Sequence, residues 1–379
     1  MAKIIILGSA YPLRAGGLST FNERLAEEFI SLGHEVIIYT FSLQYPGFLF
    51  PGKTQYATRP APLNLPIKVR VNSINPINWW ITSKEIRKEM ADLLVIRYWL
   101  PFMAPCLGTI AARVKKNKKT RVVTIADNII PHEKRPGDTF LTRYFVKRSD
   151  GFVTLSRSVL KDLEQFDKKN KPKVFSPHPL YDNFGDKMSR DEALKILKLS
   201  ADYRYILFFG FIRDYKGLDI LLKAMGEPAM DDLPVKLIVA GEFYSSDLPY
   251  LKIIGEKGIG TKTILHTQFI SNDKVAAYFC ASDLVVQPYK DATQSGVTQV
   301  AYHFDVPMIV TNKGALPEMV PHNVAGLVVE PEAGEVAKAI AKIYKENMLD
   351  NLTKGVQTQK GRFSWKNLVN AVFQAAKPS

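Results

Sequence analysis

The stretch ILFFGFIRDYKGLDILL, Ile206 to Leu222, leaves the chain few folds to choose from. Four bulky apolar residues in a row, Ile206 to Phe209, are what a strand buried on both faces of a parallel sheet requires. Gly210 closes that run, and from Leu218 to Leu222 the apolar residues recur at helical spacing. A strand, a glycine turn and a helix start aim backbone N–H groups and the positive end of a helix dipole at the carboxyl edge of a sheet. Arg213 and Lys216 lie in that connection. Two added cations suit a pyrophosphate better than a single carboxylate. A solvated Arg and Lys at a helix start is the plainer reading of the same residues.

The alternation of strand and helix extends through the chain. Lys3–Leu7 reads as a buried strand and Tyr11–Leu18 as a glycine-bearing loop. Ser19 or Thr20 can cap a helix over Phe21–Leu32, Gly33 can stop it, and His34–Thr40 forms a second strand. Gly16 and Gly17 stand at this crossover, where a ligand could approach the backbone closely, without the G-x-G-x-x-G spacing of a dinucleotide fold. Further strands are expected at Leu93–Ile96, Arg121–Ile125 and Gly151–Leu155, with Asp127 and Asn128 at a carboxyl end, where open parallel sheets place their ligands. Beyond Pro177–Tyr181, which reads as a stiff linker, the pattern restarts at Tyr205–Phe209 and continues to Gly326–Val329. At 379 residues the chain exceeds what one core serves. The expectation is therefore α/β: two tandem Rossmann-like doubly wound domains facing a cleft, over 1–183 and 184–364.

Residues 41–83 interrupt the rhythm with Pro, aromatic and basic residues, a segment too long for a plain connector. Phe48, Leu49 and Phe50 beside Lys53 and Arg59, with Trp79 and Trp80 further on, suit a lipid headgroup interface, or else close the side of the first core. Charge is unevenly spread. Residues 1–185 hold 28 Lys and Arg against 15 Asp and Glu, a net +13, whereas the remainder carries +1. That asymmetry points to an anionic partner for the first half, a membrane surface or a nucleic acid. Nucleic acid ranks last, because the aromatics are not interleaved with basic residues on a strand platform.

Ile4–Leu7 is broken by Gly8 and Pro12 too early for a secretory signal, and no apolar run approaches the roughly 18 residues of a spanning helix. Cys106 and Cys280 fall one in each half, which argues against a disulfide framework and fits a reducing compartment. A cytoplasmic protein, peripheral on the inner face of the membrane, is the expectation. His34, His178, His266, His303 and His322 show no metal-ligand spacing.

In order along the chain, Gly16-Gly17-Leu18, FGFIRDYKGLDILL, PYKDATQSGVTQVAYHFDVPMIVTNKGALPEMV and Phe363-Ser364-Trp365 resemble a family 4 (retaining, group 1 type) glycosyltransferase of the GT-B fold. The resemblance implies an acceptor-binding first domain, a nucleotide-sugar-binding second domain and a final helix, 365–379, that crosses back onto the first. Carried over to this chain, Arg213 and Lys216 hold the donor diphosphate. Gly210, Ser295, Gly296 and Val297 line the same phosphates, and Gly16 and Gly17 close over them. Fixed cations and helix N–H groups would stabilise the charge that develops as the nucleotide leaves. No D-x-D pair occurs, so neither a metal nor another cofactor is expected.

Two departures stand out. Registered on Pro307, the family's two glutamates fall on Ala292 and Val300. Asp291, Gln294 and Gln299 are the nearest polar substitutes, with Gln294 the first choice for sugar or phosphate contact and Gln299 a further donor contact. Asp127 falls where the family has a histidine near the reacting centre; it could accept a bond from a sugar hydroxyl, act as a base, or cap a turn. His132 and Asn128 are acceptor candidates, and Lys290 and Glu318 are weaker donor candidates. The resemblance thus implies retaining, metal-independent transfer of a hexose from a UDP- or GDP-sugar to a glycan or lipid-linked acceptor. A catalytically inactive binding partner is the alternative raised by the missing glutamates.

Overall fold

The computed structural model describes residues 1–14, 17–47, 54–57, 60–131, 135–182, 184–292 and 295–378. The expectations placed on Gly16, Phe48, Leu49, Phe50, Lys53, Arg59, His132 and Gln294 lie outside the described residues. The chain divides into two units, Met1–His178 with Trp365–Ser379, and Pro179–Ser364.

The first unit holds seven parallel strands. They are β1 (Lys3–Leu7), β2 (Glu35–Leu43), β3 (Ile67–Asn72), β4 (Leu93–Tyr98), β5 (Arg121–Ala126), β6 (Gly151–Thr154) and β7 (Lys173–Phe175), in the order β3-β2-β1-β4-β5-β6-β7. The chain winds outward from β1 to β3, then returns to the other side of β1, so the order reverses between β1 and β4. β1 and β4 are apolar and nearly wholly buried because helices cover both faces. Helix α1 (Gly17–Ser31) follows β1, α2 (Pro76–Lys88) follows β3, and α3 (Ala104–Val114) follows β4.

Residues 41–83 are not a structureless insertion. IKVRVN forms the edge strand β3, whose half-exposed side chains hide the buried-strand signature. Asn75 then caps α2 by accepting from the N–H groups of Ile77 and Asn78, with Pro76 in the first turn. The helix therefore runs from Pro76 to Lys88, starting inside the segment that interrupts the strand–helix rhythm of the sequence.

The amphipathic helix Trp365–Ala375 belongs to the first unit. Its end lies so close to β6 that any side chain at Gly151 would collide with the Ala375 carbonyl. Arg121 Nε donates to Ala376 O at 3.1 Å, and Trp365 tilts against Phe21, centroids 5.0 Å apart.

The second unit repeats the plan with six parallel strands. They are β8 (Arg204–Phe209), β9 (Val235–Ala240), β10 (Thr263–His266), β11 (Leu284–Gln287), β12 (Met308–Thr311) and β13 (Gly326–Val329), in the order β10-β9-β8-β11-β12-β13. Here the order reverses between β8 and β11. Loops leaving the carboxyl ends of strands on either side of such a reversal diverge and leave a crevice, the place where doubly wound sheets bind ligands.

Candidate functional site

In the second unit the loops leaving β8 and β11 flank that reversal, and glycines let them come together. Gly210 follows β8 at φ +93°. A β-carbon there would lie 3.1 Å from Lys216 Nζ and 3.8 Å from Val297 Cγ2, so these three residues share one pocket. Gly217, at φ +68°, lies against the Pro288 carbonyl, and a side chain at Gly314 would strike the carbonyl of Ala292. Gly217 thus meets two demands at once, a left-handed backbone and a contact with no room for a β-carbon.

Arg213 and Lys216 occupy the turn between Gly210 and the helix Leu218–Met225. The backbone around Arg213 is held by an extension of the sheet, in which Ile212 N donates to Glu242 O and Tyr244 N to Ile212 O. The Arg213 guanidinium lies 3.7 Å above the Tyr244 ring. Lys216 Nζ points over Tyr289, 5.9 Å from its ring centre. Neither cation has an acidic partner among the described residues. Burial, and then the neighbouring Arg213 charge, pull the Lys216 ammonium down to a pKa of about 8. Cations drawn this far out of solvent are normally paired. Two of them, each half-buried and with no acidic partner among the described residues, suit a multiply charged anion at a sheet's reversal point.

The helix Gly296–His303 starts beside them. Ser295, at its N-cap, does not cap it: its hydroxyl donates to Gln287 Oε1 at 2.6 Å, and Thr298 donates to the same oxygen at 3.1 Å. The first N–H groups of this helix thereby receive, among the described residues, no side-chain cap from Ser295. Among the described residues, Gly210, Lys216, Val297 and the backbone of Ser295 and Gly296 thus converge.

Several residues stand elsewhere than the sequence led one to expect. Gln299 is wholly buried behind the helix start, and neither Oε1 nor Nε2 has a partner, so its amide presents no surface to a donor. Ala292 and Val300 are buried as well. Lys290 is neutralised by Asp214 at 2.7 Å and Asp219 at 3.0 Å, where it ties two loops together. Glu318 lies on the short helix Leu316–Met319, and its carbonyl accepts from Arg362.

The first unit holds a site of opposite character. Asp127 leaves the carboxyl end of β5, and both of its oxygens are taken by Arg97 of β4: Nε donates to Oδ2 at 2.7 Å and Nη2 to Oδ1 at 3.0 Å. The third edge of the guanidinium, Nη1, donates to the carbonyl of Gly17, the first residue of α1, at 3.2 Å. Its face lies 3.7 Å over the Phe21 ring. Arg97 and Asp127 are 3% and 4% exposed, so this is a desolvated pair and not a surface one. The loop between β1 and α1 is held from α1 too, through Asn22 Nδ2 to Ser9 O and Glu23 Oε1 from Tyr11 N. Asn128 follows, partly buried, at the same sheet edge. An aspartate open to act as a base does not match this bonding; Asp127 instead anchors an arginine.

Arg97 and Tyr244 are the residues that sequence reasoning passed over. A lone arginine inside the apolar run LLVIRY was a signal, since such a charge needs a partner. Its register beside Ile125, two residues before Asp127, supplies one. Tyr244 had no comparable mark.

Comparison with known proteins bears on both units. Residues 15–184 match the family model described as Glycosyltransferase Family 4, and residues 203–346 match that of Glycosyl transferases group 1. An uncharacterized glycosyltransferase of Methanocaldococcus jannaschii, MJ1607, is 23% identical over 99% of this chain and 98% of its own length. A D-inositol 3-phosphate glycosyltransferase of Mycobacterium tuberculosis (strain ATCC 25177 / H37Ra) is 29% identical, over 48% of this chain and 39% of that protein. Among solved structures, sucrose-phosphate synthase from Thermosynechococcus elongatus superposes with a TM-score of 0.73 at 17% identity, covering 99% of this chain and 97% of that one. Anabaena Alr3699/HepE in complex with UDP and glucose gives 0.73 at 16% identity, covering 99% and 98%.

Proposed function

The chain belongs to the family 4, group 1 glycosyltransferases, and we propose that it moves a hexose from a UDP- or GDP-sugar to a hydroxyl of a lipid-linked or polysaccharide acceptor. Transfer is with retention and without a metal ion. The observation that carries this reading is the pair of cations at the β8–β11 reversal, Arg213 and Lys216, with no acidic partner among the described residues. A diphosphate supplies the missing negative charge. As the glycosidic bond to the nucleotide breaks, the leaving diphosphate gains charge, and fixed cations with the first N–H groups of Gly296–His303 favour that state over the intact donor. UDP in a structural neighbour of the same fold supports the donor class.

Within this reading Gly210, Gly296 and Val297 line the phosphates, Ser295 and Gln287 hold the helix start in place, and Tyr244 orients Arg213. Asp127 is a positioning residue that acts through Arg97 on Gly17 and the start of α1. The net charge of +13 over residues 1–185 supports a phosphate-bearing acceptor and an anionic membrane surface for the first unit. A second reading, a non-catalytic relative that binds nucleotide, has its own support: Ala292 and Val300 are buried and apolar.

Donor hydrolysis and sugar transfer assayed across a panel of nucleotide-sugars test the proposal. Arg213→Ala is expected to lower kcat/KM by about 10²–10³-fold, the usual loss when one donor to developing charge is removed. Full activity in that variant would overturn the site. A parent that binds nucleotide but never turns over would establish the second reading.

A further inference from the structure

The Trp79-Trp80 pair splits on folding. Trp79 turns inward, its indole N–H donating to Asn72 O at 2.7 Å, and packs on the first core. Trp80 turns outward and is 47% exposed. It does not stand alone. Ile74, Ile77 and Ile81 are 48%, 72% and 54% exposed, and residues 77, 80, 81, 84 and 88 fall on one stripe of α2 at helical spacing. The opposite stripe, Thr82, Ser83 and Ile86, is buried. A single exposed apolar residue is ordinary for a protein surface; three isoleucines and a tryptophan within eight residues are not.

Cations take over where the apolar residues stop. Lys84 and Lys88 continue the stripe, Arg87 adjoins it, and Arg113 and Lys116 project from α3 and the turn after it. Lys84 Nζ and the Arg113 guanidinium both sit over the Trp80 ring, at 5.4 and 5.2 Å. None of Lys84, Arg87, Lys88, Arg113 and Lys116 has an acidic partner among the described residues, although Lys68 and Arg70 beside them are paired with Glu85. A helix lying in the plane of such an interface sinks its apolar stripe roughly 5–10 Å beneath the phosphates, and lysines on the same stripe reach back to the headgroups. No helix among the described residues is long and apolar enough to cross a membrane, so contact is with a surface.

We infer that the outward stripe of α2 docks the first unit on an anionic bilayer, with Ile74, Ile77, Trp80 and Ile81 among the acyl chains and Lys84, Lys88 and Arg113 at the lipid phosphates. A nucleic acid's phosphates would answer the cations but leave most of the isoleucine stripe in water, and a neutral protein partner would leave the cations unanswered. α2 begins where β3 ends, at the carboxyl edge of the sheet that also carries Gly17, Arg97 and Asp127. The inference rests on the lipid-linked branch of the proposed function, and it places the carboxyl edge near the headgroups.

Flotation of the full chain with phosphatidylcholine vesicles, with and without phosphatidylglycerol, tests it. The parent is expected to float with the anionic vesicles and not the neutral ones, and to be released by high salt. Ile77→Asn/Ile81→Asn is expected to abolish flotation. Each of Lys84→Ala and Lys88→Ala is expected to weaken it about five-fold. Brominated acyl chains are expected to quench Trp80 emission, and Trp80→Phe to remove that response. Thermal unfolding and nucleotide binding of the variants are expected to match the parent, so failure here is distinguishable from failure of the donor site. Equal flotation on neutral vesicles, undiminished flotation of the Ile77/Ile81 variant, or a parent dimer that this variant converts to monomer would overturn the inference.

Discussion

Each of the two sheets draws basic side chains out of solvent at the carboxyl ends of its strands, Arg97 wholly and Arg213 and Lys216 in part, and the two sets differ in their partners. Arg97 is matched atom for atom by Asp127, Gly17 O and the face of Phe21. Arg213 and Lys216 have an aromatic ring each and no counter-charge among the described residues. A buried charge whose bonds are complete belongs to the architecture: it fixes a loop and has nothing left to offer a ligand. A half-buried charge whose bonds are incomplete costs stability unless something else completes them. The depressed pKa of Lys216 expresses that cost, and a diphosphate removes it.

The contrast predicts opposite responses to the same kind of substitution. The largest effect is expected at the completed pair. Arg97→Ala strips Asp127, still buried, of the guanidinium that bonds both of its oxygens, and should lower stability by about 3–5 kcal/mol, read from urea unfolding. A loss under about 1 kcal/mol would mean that the pair is no more than a surface bridge.

Next comes the pH dependence of Lys216. Its folded pKa of about 8 lies below the ordinary lysine value of 10.5, so the empty protein holds fewer protons than the unfolded chain between those values. Stability therefore rises with pH across that window, as the charge burial is relieved. Diphosphate binding acts in reverse, because it restores the ammonium and takes up a proton. Affinity should fall by about tenfold per pH unit above about 8, with proton uptake visible as a buffer-dependent binding heat. A flat profile would separate Lys216 from the ligand.

The smallest expected effect lies at Tyr244. Removing the ring under Arg213 by Tyr244→Ala should weaken diphosphate binding by about 1 kcal/mol, while Tyr244→Phe retains it. Equal losses in both variants would shift the role from the ring to the hydroxyl.

How far these features could be read from the sequence follows from the forces that set them. Strands β4, β5, β8, β9 and β11 are apolar on both faces and announce themselves. The turn that carries Arg213 and Lys216 was legible because it is local: strand, glycine, cations and helix lie within one stretch. β3 was obscured because an edge strand with the alternation IKVRVN lacks a continuous apolar run, and the cap Asn75-Pro76 was the signal that went unused. Arg97 with Asp127 could not be read locally, since their pairing depends on β4 and β5 being neighbours in register. Gln299 looked like a donor contact by its place in the chain. The turn of the helix carries it inward, and only coordinates reveal on which side of an eight-residue helix an amide falls.

Titration calorimetry of UDP and GDP into the parent and into Lys216→Met, paired with thermal unfolding of both proteins, goes most directly to the central claim. The parent is expected to bind at least one of the two diphosphates. The variant is expected to bind it about 10- to 100-fold more weakly, the worth of a charge-assisted bond, while melting no lower than the parent because a half-buried charge with no acidic partner among the described residues has been removed. Equal affinity in the two proteins, or a variant that melts far below the parent, would contradict the account.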